Sequence, residues 1–174
     1  MDKINNCAIC GRKSVFYSNY LKQHLCKKHF ERMLIRRVRS NIISNGLRGK
    51  TFKVMRENKY GYAFLSFLFV DNKYNEEIKL KSYTLEDFAI EVMKFFLFSE
   101  NKGLKVKGDG FFSPLFNISE NEIYSFFLLK RRDIGKRERK GMENAILSFI
   151  LKLEERRPGA MISIVKAGLD IGII

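Results

Sequence analysis

The spacing of the cysteines is what most constrains this chain of 174 residues. Cys7 and Cys10 form a C-x2-C pair, fifteen residues follow, and Cys26 and His29 then form C-x2-H. Two short knuckles of this kind can close around one tetrahedral ion, and three thiolates with one imidazole are a standard structural zinc set. Gly11, directly after the first pair, suits the sharp turn a knuckle needs. The odd number of cysteines argues against a disulfide framework. His24 competes for the fourth position, but it precedes its cysteine, whereas His29 completes the short loop. The expected ligands are therefore Cys7, Cys10, Cys26 and His29. Four protein ligands leave no open position for water or substrate, so the zinc is expected to be structural. No cysteine then remains to act as a nucleophile, to carry a persulfide or to hold an iron–sulfur cluster.

Charge points to the partner. The net charge is +14, and residues 1–59 carry 15 Lys and Arg against three acids, so most of the excess lies in the first third. A polyanion contact there is the natural reading. Residues 27–45 show helical spacing, with Phe30, Met33, Leu34, Val38 and Ile42 at three- and four-residue steps and Gly46 as a C-cap. The opposite faces hold Lys28, Arg32, Arg36, Arg37 and Arg39; with Arg48 beyond the helix, these are the expected nucleic-acid contacts. The longest apolar run, 62–70, is far shorter than the roughly 20 residues that span a bilayer. No signal-peptide pattern opens the chain. A cytoplasmic protein without a membrane partner is expected.

Further along, 51–54 and 60–70 read as strands, the second apolar enough for a buried central strand. Residues 71–75 read as a turn and 77–83 as a third strand. Thr84 and Asp87 open an amphipathic helix with Phe88, Val92, Phe95 and Phe96 inward. Residues 103–110 suit a short strand and loop, and Ser119 with Glu122 forms a capping box for the next helix. A basic connector spans 130–140. Residues 141–157 form a last long helix with Ile146, Leu147, Phe149, Ile150, Leu151 and Leu153 inward, closed by Pro158 and Gly159. Alternating strands and helices argue for a small α/β layer. The expected division is 1–48 (zinc finger plus basic helix), 49–160 (reduced α/β domain) and 161–174 (apolar C-terminal tail).

Catalytic signals are sparse. No glycine-rich phosphate cradle is visible, the carboxylate pairs Glu86–Asp87 and Glu154–Glu155 read as helix caps and solvated surface, and both histidines sit beside the zinc ligands. The chain is not expected to be a self-sufficient enzyme.

Three landmarks, in order, carry a family resemblance: the finger with its fifteen-residue spacer and basic helix, the segment 117–124, and the helix ending at Pro158 and Gly159. Together they resemble the TtuA-type (PP-loop) tRNA 2-thiolation enzymes, whose finger, "IPEKEI" helix start and "LxxLExxxPG" helix they match over about half the chain. The resemblance implies a PP-loop-like α/β fold, tRNA or another RNA as partner, and chemistry by ATP adenylation followed by sulfur insertion. Departures are equally plain. The segment 62–70 runs into 71–73 without SGGKDS, the middle is shortened, and the cluster cysteines and a C-terminal zinc finger are missing. The expectation is a non-catalytic tRNA-binding accessory protein, a degenerate relative working with a catalytic PP-loop enzyme, with room for a homo- or hetero-dimer. The alternatives are a zinc-containing DNA-binding regulator and a residual ATP-dependent tRNA-modifying enzyme.

Overall fold

In a computed structural model of the chain, which describes residues 5–19, 21–69, 77–100, 103–135 and 137–174, the spacer between the knuckles folds back on itself. Strands β1 (Phe16–Ser18) and β2 (Gln23–Leu25) pair antiparallel, with Phe16 opposite Leu25. They lead into α1 (Lys27–Ser44), whose buried Phe30, Leu34, Val38 and Ile42 are those the helical spacing selects. Phe16 stacks on Phe30 at 4.1 Å between ring centroids, so the hairpin is seated on the helix it precedes.

The body is an α/β layer around a four-stranded sheet of order β3–β4–β6–β5, with β3 (Thr51–Val54), β4 (Glu77–Leu80), β5 (Lys107–Gly108) and β6 (Phe111–Phe112). β3, β4 and β6 run parallel and β5 antiparallel to β6. Val54, Leu80 and Phe112 stand opposite one another in register and are all buried, which makes one apolar row across the sheet.

The expected strand at 60–70 is instead helix α2 (Lys59–Leu68). The Asn58 side chain caps it, accepting from the backbone N–H of Tyr60 and Gly61 at 2.9 and 3.3 Å. Tyr60, Gly61, Phe64 and Leu65 point inward while Ser66 and Phe67 face solvent, a 3.6-residue period that an almost continuous apolar run conceals. Gly61 is required by contact: a Cβ there would lie 1.8 Å from the Ser82 carbonyl oxygen. The turn expected at 71–75 lies outside the described residues.

The two capping boxes form as read. Thr84 and Asp87 open α3 (Leu85–Phe98), and Ser119 and Glu122 open α4 (Glu120–Leu129). α5 (Gly141–Arg156) and α6 (Ala160–Asp170) complete the chain. The apolar tail is thus mostly α6, which packs on α3 and α5. Gly168 lets it approach Val92 closely, since a Cβ there would meet Val92 Cγ2 at 2.3 Å. Not every expected inward residue is inward. Ile146 and Ile150 are buried, but Phe95, Phe96, Phe149 and Leu151 are exposed: the first two lie in the last turn of α3, and the other two flank Ile150 at about 100° to either side of the buried face of α5.

α1 is fastened to the body by polar contacts. Arg37 pairs with Glu122 at 2.6 Å and donates to the Asn117 carbonyl. Asn41 donates to the Pro114 carbonyl at 2.8 Å, and Glu31 pairs with Lys130 at 2.9 Å. The segment 117–124 is therefore the platform on which the basic helix sits.

Candidate metal centre, basic face and strand-end crevice

The four expected ligands converge. Their donor atoms all lie within 4.8 Å of one another, with Cys10 Sγ 3.7 Å from Cys26 Sγ and His29 Nδ1 3.4 Å from both Cys7 Sγ and Cys26 Sγ. A tetrahedral ion with metal–sulfur bonds near 2.3 Å and metal–nitrogen bonds near 2.0 Å requires edges of roughly 3.8 and 3.5 Å, so this set fits. Backbone bonds fix the knuckle: Gly11 N–H donates to the Cys7 carbonyl at 2.9 Å and Ala8 N–H to that of His24 at 2.9 Å. Burial raises the Cys7 thiol, but N–H groups of Cys26, Ile9 and Cys10, with His29, outweigh it and leave the thiol at about 5. For Cys10, a bond from the Arg12 backbone lowers the thiol, yet burial and the crowding Cys26 and Cys7 sulfurs raise it on balance. A bound cation relieves that crowding of like charge. His24 lies outside the group, against Tyr17 at 4.8 Å between ring centroids.

On α1, Lys28, Arg32, Arg36 and Arg39 are exposed. At 100° per residue they share an arc of about 80° and form one stripe roughly 16 Å long. Arg48 is exposed beyond the helix. Arg37 is a correction: it is 8% exposed and engaged with Glu122, so it does not offer its charge to a partner. The same helical angle puts it opposite the stripe, beside Phe30 and Leu34, and that spacing was the signal available in the sequence. Between the knuckle and α1 lies a groove of about 480 Å³, whose lining includes Ile9, Leu21, His29, Arg32, Met33 and Arg36, with the ion-paired Arg37 at its edge.

A third constellation, missed from the sequence, occupies the carboxyl ends of the parallel strands, where open α/β sheets usually place ligands. The strand–turn–helix unit that would carry a phosphate loop is β3–α2, not the segment ending at residue 70. Four of its backbone donors are already bound within the chain. Ser82 Oγ accepts from Glu57 and Asn58 N–H at 3.0 and 2.9 Å, Asn58 takes those of Tyr60 and Gly61, and Glu57 accepts from Ser82 N–H at 3.1 Å. Beside this turn Asp87 and Glu120 meet Arg137 and Arg139 in four ion pairs of 2.7–3.0 Å. Asn58 Nδ2 reaches Asp87 at 2.5 Å and Glu120 at 3.0 Å. Burial alone would raise the Asp87 carboxyl, but Arg137, the Thr84 N–H, Asn58 and Arg139 hold it below the usual range. Glu86 is the opposite case. Read as solvated, it is buried, accepts from Glu120 N–H at 2.9 Å, and is pushed up to about 8 by burial and the adjacent Glu120 charge. Glu154 does act as a cap, accepting from Gly159 and Met161 N–H at the start of α6. Among the described residues no helix is long and apolar enough to cross a membrane.

No protein-family model matches the sequence, and no curated protein matches it. Among solved structures, the chain is similar to the U34-tRNA thiolase NcsA from Methanococcus maripaludis with its 4Fe-4S cluster, at a TM-score of 0.75 and 14% identity, over 98% of this chain and 88% of that one. The two chains share one fold.

Proposed function

We propose that this protein is a zinc-containing, tRNA-binding accessory protein that shares the thiolase fold without performing adenylation or sulfur transfer, and that a catalytic PP-loop enzyme acts with it. Cys7, Cys10, Cys26 and His29 would hold a zinc ion, which would cross-link the two knuckles and supply no chemistry of its own. The resemblance in fold to a U34-tRNA thiolase supports RNA as the partner. The observation that carries the non-catalytic reading is the β3–α2 turn. In a phosphate loop the backbone N–H groups at a helix N-terminus are left for the ligand. Here Ser82 and Asn58 take four of them, and Glu57 adds a carboxylate where a phosphate would bring further negative charge.

RNA then contacts the stripe of Lys28, Arg32, Arg36 and Arg39, with Arg48 extending it. Neutralised phosphates release counterions, so affinity falls log-linearly with salt. Titration of labelled tRNA between 50 and 200 mM salt is expected to show that slope, and Arg36→Glu with Arg39→Glu to reduce affinity at least tenfold at unchanged melting temperature. Equal affinity before and after the double change would sink the reading, and preference for duplex DNA in competition would favour a DNA-binding regulator. Calorimetry with ATP and magnesium is expected to give no binding heat; a saturable heat would return the protein to the enzymes.

A further inference from the structure

The groove between the knuckle and α1 combines features that a duplex cannot use. Ile9 is 59% exposed and Leu21 37% exposed, and with the half-buried Met33 they make an apolar wall beside Arg32 and Arg36. A regular helix presents phosphates and hides its base faces, so against a duplex the wall would stay wet and unmatched. The wall is also held in place. Ile9 stands between two ligand cysteines in a knuckle pinned by backbone bonds, and Leu21 N–H donates to Ser18 Oγ at 3.2 Å. His29 lines the same groove. Its Nδ1 belongs to the ligand group, so its remaining polar atom is Nε2, and an imidazole bound through Nδ1 carries its proton there. Among the described residues no group accepts from Nε2.

We propose that this groove is a site for one unpaired nucleotide of the bound RNA. The base lies against Ile9, Leu21 and Met33, its phosphates meet Arg32 and Arg36, and a base or phosphate oxygen accepts from His29 Nε2–H. Its volume of about 480 Å³ falls within the range of small-ligand sites, roughly 300–1,000 Å³. Charge complementarity selects the occupant: among the described residues the charged side chains lining the groove are all arginines, and they belong to the most basic third of the chain. The RNA is therefore gripped at an end, bulge or loop rather than along a continuous helix.

The inference rests on RNA binding as proposed above, and the test separates the two. A labelled RNA hairpin with a four-nucleotide 3′ overhang is compared with the same hairpin made blunt, using the full, metal-loaded protein. The overhang is expected to improve affinity about tenfold, of the order of one stacked base. Ile9→Ser with Leu21→Ser is expected to erase that gain while the blunt hairpin keeps its affinity and salt slope. Metal content and melting temperature confirm that the variant is folded. Equal affinity of the unaltered protein for both hairpins, or a gain that survives in the variant, overturns the groove assignment and leaves the basic stripe standing. Binding of neither hairpin overturns the RNA reading as a whole. A DNA overhang held more tightly than the RNA one overturns the assignment to RNA.

Discussion

Among single side chains, two residues show how far a neighbour's identity outweighs residue type. Arg36 and Arg37 are adjacent and alike in sequence, yet one faces solvent and the other closes a buried ion pair with Glu122, 85 positions away. Glu86 and Asp87 likewise read as one acidic pair. Asp87 is held low beside two guanidiniums, whereas Glu86 is raised to about 8 because burial and Glu120 disfavour its charge. A carboxyl whose folded value lies above its unfolded one contributes stability that is complete below the unfolded value, near 4.3, and is lost as pH rises through about 8. Glu86→Gln removes that loss. The variant is expected to gain stability relative to the unaltered protein as pH goes from 5 to 9, on the order of a few kcal/mol. Chemical denaturation across that range checks it, and parallel curves would show that Glu86 titrates normally. The convergence of Cys7, Cys10, Cys26 and His29 was legible in the sequence because their geometry is local and their spacing is short. The partners of Arg37 and Glu86 were not, because only the assembled fold brings them near.

Among the elements, capping chemistry proved a better guide than hydropathy. α3 and α4 begin where Thr84 and Ser119 place them, since each box satisfies backbone donors that any helix start must satisfy. α2 was read as a strand because an aromatic run without polar interruptions fits a buried strand and a buried helix equally well. The deciding residue, Asn58, stands outside the run. So does the reason for Gly61, whose close neighbour Ser82 follows β4. Gly61→Ala is therefore expected to destabilise despite the higher helix propensity of alanine, because the clash is with backbone. A cost of roughly 1–3 kcal/mol, a fall of about 2–12 °C in melting temperature, is the scale for overpacking in a domain of this size. An unchanged or raised melting temperature would show that the α2 packing is looser than described.

For the whole molecule, the joint between the knuckle segment and the body was not legible in the sequence. The knuckle segment is expected to depend on a bound metal, because so small a module buries little apolar surface. The second half of α1 is instead held by the body, through Arg37, Asn41 and the buried Val38 and Ile42. Chelation is expected to release one equivalent of metal, to abolish the gain from an RNA overhang and to leave most of the far-ultraviolet helical signal intact. Loss of the whole signal on chelation would mean that finger and body unfold as one unit. The crevice has the same long-range character: Asn58, Asp87, Glu120, Arg137 and Arg139 come from four separate stretches of chain, and no local pattern announces their meeting.

The first turn of α4 lies where these two assemblies touch. Glu122 takes the arginine of the basic helix, and Glu120, two residues earlier, takes both arginines of the crevice. In mechanical terms that turn is a rivet through two plates. A pull on the basic helix would reach the mouth of the sheet through three residues of α4.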